Sequence, residues 1–120
     1  MALVLIVDDS PTEQHVIARL LEKNGFETVV ANDGEEAISI AEQSRPDVIL
    51  MDVVMPGMNG FQATRQLAKN PLTAGIPVVM VTSKDQESDK AWGLRQGAVD
   101  YLMKPVNDTE LLDAVRARVA

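Results

Sequence analysis

The chain has 120 residues, 46% hydrophobic and 24% charged, and a formal net charge of −7. That length suits one ordinary domain, and with only 3% aromatic residues its core must be aliphatic. The composition excludes a disordered segment, the absence of cysteine excludes a disulfide framework or thiolate metal site, and the acidic balance argues against nucleic acid or an anionic membrane as direct partner.

The N-terminal run MALVLIV is too short to span a bilayer. It has no basic n-region and no cleavage site, so no signal peptide is read and the expected location is the cytoplasm. Within it, LVLIV (3–7) is apolar throughout and rich in β-branched residues, as in a strand buried on both faces. A helix start follows: Ser10 as N-cap, Pro11 at the first helical position, and Glu13 completing a capping box. Val16, Ile17, Leu20 and Leu21 form its apolar stripe, and Gly25 stops it.

ETVVA (27–31) is the second strand, after which Asn32 and Glu35 repeat the capping-box spacing and Ala37, Ile38 and Ala41 face inward. DVILM (47–51) is the most apolar strand and ends at Asp52. A loop punctuated by Pro56, Gly57 and Gly60 leads to a helix near 60–69. IPVVMV (76–81) ends at Thr82 and Ser83, and a helix of about 85–96 closes at Gly97. VDYLM (99–103) ends at Lys104 and Pro105. Asn107 and Glu110 cap a last helix with Leu111, Leu112, Val115 and Val119 inward.

Strands alternating with helices imply an α/β domain: five βα units, a parallel sheet, and helices on both faces. The expectation is one domain over 1–120 with no output domain. In such sheets ligands bind beyond the carboxyl ends of the strands, where strand order reverses. The groups at those ends are Asp8 and Asp9, Asp52, Thr82 and Lys104. If the order is 2-1-3-4-5, the first and third strands straddle the switch point, and Asp8 and Asp9 face Asp52 across a cleft. Carboxylates so placed repel one another and need a cation. Oxygen-only ligands suit a hard ion, Mg²⁺ before Zn²⁺. A carboxylate beside Mg²⁺, a lysine and a threonine hydroxyl is equipped to attack phosphorus and become an aspartyl phosphate.

With VDD at 7–9, MDVVMPGMNG at 51–60, VTS at 81–83 and YLMKP at 101–105, the whole chain resembles the receiver domains of two-component response regulators, of the single-domain CheY type. VDDSPTE, GFQATRQL and TSKDQESDKAWGLRQGA are similar to the PilH-type regulators of type IV pilus twitching motility. The resemblance implies a flavodoxin-like, doubly wound (βα)5 sheet of order 2-1-3-4-5. It implies that Asp52 is the phosphoacceptor and that Mg²⁺, or Mn²⁺ in its place, is bound by Asp9 and Asp52, by the Val54 backbone carbonyl, and by Asp8 mostly through water. Thr82 would hydrogen-bond the phosphoryl group, Lys104 would pair with it, and small Ser83 would leave access for the donor. Tyr101 would turn inward on activation, and the bond before Pro105 would be cis. The implied partner is a CheA-like histidine kinase or its phosphotransfer domain, acting on a monomer that catalyses only its own phosphotransfer and dephosphorylation. Phosphorylation would reshape the surface of the fourth helix, fifth strand and fifth helix, in chemotaxis-like control of twitching motility.

Simpler readings stand beside these. Asp8 and Asp9 favour the positive end of the first helix whatever they bind. Thr82 and Ser83 are ordinary N-cap types, and a lysine before proline is usually solvated. Trp92 fits either half-buried packing or a partner surface. A sink draining phosphoryl groups from a shared kinase fits as well as an effector. A haloacid-dehalogenase-like phosphatase fits poorly, because Val54 occupies the position of its second acid. A flavin or nucleotide carrier would need a Gly/Ser/Thr-rich loop after the first strand, where DDSPTE stands.

Overall fold

The computed structural model describes residues 1–119; Ala120, the last residue of the expected domain, lies outside them. In chain order the elements are β1 (Leu3–Val7), α1 (Pro11–Lys23), β2 (Glu27–Ala31), α2 (Gly34–Ser44), β3 (Val48–Met51), α3 (Gly60–Lys69), β4 (Val78–Thr82), α4 (Glu87–Gln96), β5 (Asp100–Met103) and α5 (Asp108–Arg116). All neighbouring strands pair in parallel, in the order β2-β1-β3-β4-β5. Consecutive strands β2 and β3 therefore lie on opposite sides of β1, and the order reverses between β1 and β3.

Period-two alternation explains how short apolar strands hold two helix layers. Val4, Ile6, Val48 and Leu50 face α1 and α5, meeting Ile17, Leu21, Leu111 and Val115. Leu5, Val7, Ile49 and Met51 face α2 and α3, meeting Ala37, Ala41, Ala63 and Leu67. The small residues on α2 and α3 let those helices approach the sheet closely. Each fully buried large aliphatic side chain contributes roughly 1.5–3 kcal/mol. A third cluster of Val53, Met80, Ala98 and Tyr101 underlies α4. That helix buries only Gly93 and Gln96 and leaves Trp92 48% exposed.

Several local expectations change. The N-cap of α2 is Asp33, not Asn32: its side chain accepts from the Glu36 N–H at 2.8 Å. Asn32 instead receives a hydrogen bond from the Gln14 amide on α1, and its backbone N–H donates to Glu36. β4 begins at Val78, because Pro77 has no N–H to donate to a ladder. α4 begins at Glu87, where the Gln86 N–H donates to Asp89 at 3.3 Å. Val16 is 61% exposed, since only Ile17 and Leu21 of its stripe reach the sheet fully.

Candidate functional site

The site forms where β1, β3, β4 and β5 all end on one side of the sheet. The ladder sets the depth of each group. The Asp8 N–H donates to Ala31 at 3.2 Å, the Asp52 N–H to Val7 at 2.9 Å, and the Lys104 N–H to Thr82 at 2.8 Å. These bonds bring Asp8, Asp52 and Lys104 to one level, just past the strands. The Lys104 Nζ donates to Glu13 Oε2 at 2.7 Å, Asp8 Oδ2 at 2.9 Å and Asp52 Oδ2 at 3.3 Å. Asp8 Oδ1 also accepts from the Ser10 N–H at 2.9 Å, and Asp52 Oδ1 from the Val54 N–H at 3.3 Å. Asp8 and Asp52 are both buried. A cleft of about 690 Å³ opens beside them, lined among others by Asp9, Asp52, Ser83 and Lys104.

Burial holds the Asp52 carboxyl above its ordinary value and the neighbouring Asp8 charge adds to this, while Lys104 and the Thr82 hydroxyl pull the other way. Burial alone would lower Lys104, but the hydrogen bonds it donates to Glu13 and Asp8 and the charge of Asp52 raise it on balance. Tyr101 is pushed up to about 12, first by burial and then by the charge of Asp89. Its hydroxyl therefore stays a donor, and it donates to the Lys84 carbonyl at 2.8 Å.

The raised Asp52 has a consequence for stability. A carboxyl raised on folding stabilises the fold below its unfolded value, and that contribution is lost as pH rises through the folded value. At neutral pH ionised Asp52 therefore costs stability. Asp52→Asn should melt above wild type in EDTA at pH 7, by roughly 3–6 °C, the shift that about 1 kcal/mol makes in a domain of this size. The gap should narrow toward pH 4 and on adding Mg²⁺, and a variant that melts lower than wild type in EDTA would contradict the sign.

One carboxylate oxygen from each of Asp8, Glu13 and Asp52 lies within 4.8 Å of the others. Against these three charges stands one ammonium. An all-oxygen set with residual negative charge fits a hard divalent ion such as magnesium. Asp9 stands exposed at the rim and is not one of the three. Thr82 is fully buried at the end of β4, where its hydroxyl accepts from the Lys84 N–H at 3.4 Å. Ser83 is exposed beside the cleft. Val54 is 54% exposed and also lines the cleft. The Lys104–Pro105 bond is cis. Tyr101 stands inward, packed with Val53 and Met80. The Lys84 ammonium lies 3.9 Å from Asp89 in the first turn of α4.

Glu13 is the residue that sequence reasoning left out of the site, having given it a capping role. A signal was present. Helical side chains lean toward the N-terminus, so an acid in the first turn of a helix that starts directly after β1 leans toward the end of that strand.

A model of the response regulator receiver domain matches residues 4–116. The chain is 56% identical over 120 residues to Protein PilH of Pseudomonas aeruginosa, covering 100% of this chain and 99% of that protein. It is 40% identical over 116 residues to the DNA-binding response regulator MtrA of Mycolicibacterium smegmatis, covering 97% of this chain and 50% of that protein. Among solved structures, chemotaxis protein CheY4 of Vibrio cholerae superposes with a TM-score of 0.93 at 34% identity, covering 99% of both chains. The receiver domain of a sensor histidine kinase from Pseudomonas aeruginosa, with magnesium coordinated in its active site cleft, gives 0.90 at 32% identity, covering 98% and 96%.

Proposed function

The chain belongs to the response regulator receiver domain family, and from that membership we propose that Asp52 takes a phosphoryl group from a CheA-like histidine kinase or its phosphotransfer domain. The observation that carries this reading is the placement of Asp52: it ends the central strand at the β1/β3 switch point, touches Lys104, and lines an open cleft. In the proposed step an Asp52 carboxylate oxygen bonds to phosphorus as the P–N bond to the donor histidine breaks, and the imidazole leaves with the electron pair. Magnesium, or manganese, held by Asp8, Asp9, Asp52 and the Val54 carbonyl, would supply positive charge against which these carboxylates and phosphoryl oxygens can meet. Lys104 neutralises a phosphoryl oxygen, and the Thr82 hydroxyl donates to another. Ser83, small and exposed, leaves the donor room.

The proposed output runs along β4 and β5. A Thr82 hydroxyl turned to the phosphoryl group releases the Lys84 N–H it now accepts from. Tyr101 holds the other side of that same residue through its carbonyl. The 83–86 segment and the α4–β5–α5 surface, with half-exposed Trp92 and Met103, would then change together. The identity with Protein PilH supports a place in chemotaxis-like control of twitching motility, in the cytoplasm.

The test is phosphotransfer from a radiolabelled CheA-like kinase. Label should pass to the chain in Mg²⁺ and stay on the kinase in EDTA. A kinase that keeps its label in Mg²⁺ counts against the reading.

A further inference from the structure

We propose that Glu13 is a positioning residue that tethers Lys104 and competes for its ammonium with the phosphoryl group on Asp52. The inference rests on the reading of Asp52 above. It begins with a capping box only half made. The Ser10 hydroxyl accepts from the Glu13 N–H at 3.4 Å, as that motif requires. The return bond is absent: the Ser10 N–H donates instead to Asp8 Oδ1 at 2.9 Å. That frees the Glu13 carboxylate, which makes the shortest of the three Lys104 contacts, 2.7 Å against 2.9 Å and 3.3 Å.

An ammonium has three N–H donors, and here each is spent on a different carboxylate. A phosphoryl oxygen can gain one only if a carboxylate yields it. The Asp8 side chain is 3% exposed and that of Asp52 8%, so neither can turn to water. The Glu13 side chain is 45% exposed and rehydrates readily. Glu13 is thus the group that lets go, and its hold opposes the transfer of Lys104. Its charge, within 4.8 Å of the Asp52 carboxylate, also opposes an incoming anion. Both effects act in the same direction, and partial exposure keeps them moderate.

The test compares wild type with Glu13→Gln, a near-isosteric change on a half-exposed helical turn. The first readout uses no phosphoryl mimic: the NMR signal of the Lys104 ammonium, in EDTA. Three acceptors slow the exchange of its protons with water in wild type, and the variant should shift and broaden that signal. The second is beryllofluoride affinity at saturating Mg²⁺, which should tighten by about three- to tenfold in the variant. An unchanged Lys104 signal would overturn the tether even if affinity rose, since charge alone would then be acting. Unchanged or weaker beryllofluoride binding would overturn the competition, and weaker binding would make Glu13 a support of the bound state. If wild type fails to bind beryllofluoride, the failure lies with the reading of Asp52, and the ammonium signal still decides the tether.

Discussion

Asp52→Asn should take up phosphoryl groups from acetyl phosphate at least about 100-fold more slowly than wild type, the scale on which removing a nucleophile acts. Three carboxylates meet at the site, and their surroundings decide which one attacks. Asp8 does not line the cleft, and its two oxygens are held at 2.9 Å by the Ser10 N–H and by Lys104. Glu13 lines the cleft but accepts the 2.7 Å bond from Lys104. Asp52 lines the cleft, and the bonds it accepts from the Val54 N–H and from Lys104 are the longest of the set, at 3.3 Å each. Its lone pairs are the least committed. Burial also makes its oxygens more basic, and basicity favours attack on phosphorus. Intact-mass measurement follows the adduct, and EDTA should suppress it in wild type. An Asn variant that labels at the wild-type rate would pass the acceptor role to another carboxylate. The same variant should melt above wild type in EDTA, so lost labelling would not reflect lost folding.

Elements were legible where the local signal had no competitor. β1 and β2 are legible to the residue, and α3 and the Asn107 cap likewise, because apolar runs and cap residues there point one way. Asn32 and Asp33 are both good caps one residue apart. The choice falls to Asp33 because Asn32 is drawn to Gln14 on α1, a contact that adjacent sequence does not show. Val16 satisfies helical spacing yet faces outward, because a stripe four residues wide exceeds the strip of sheet that α1 covers.

The site was legible as a set of strand ends, since the switch-point rule needs only the order of elements. Its inner arrangement was not. Asp8 and Asp9 are adjacent, so one turns inward and the other outward as the chain leaves β1, and nothing local says which sits deeper. The structure buries Asp8 and exposes Asp9. Glu13 is not legible as a site residue, because its capping position explains it fully unless Asp8 takes the Ser10 N–H. Lys104, in isolation an ordinary solvated lysine, acquires three partners only when α1, β1 and β3 converge on it.

Gly60→Ala is the second change with a large expected effect. In the sequence Gly60 reads as turn punctuation like Gly57, but the two glycines have different reasons. Gly57 has φ +70° and open space around it, so it serves a backbone conformation. Gly60 is the first residue of α3, and a Cβ there would lie 2.1 Å from the Asp52 carbonyl oxygen and 2.8 Å from Val53 Cα. Both neighbours are backbone, so no side chain can rotate away. The Gly60 N–H also donates to the Val53 carbonyl at 2.9 Å, which ties the start of α3 to the chain just after Asp52. A methyl group must therefore push α3 off or displace the residues that aim Asp52. Overpacking commonly costs about 1–3 kcal/mol, and a clash confined to backbone belongs at or beyond the upper end. The variant should melt about 10 °C or more below wild type, and what folds should label more slowly with acetyl phosphate. Gly75→Ala is the control, since its Cβ would meet nothing within 4 Å; it should stay within about 0.5 kcal/mol of wild type. A Gly60→Ala protein that melts with the control and labels at the wild-type rate would mean that α3 can slide without carrying Asp52.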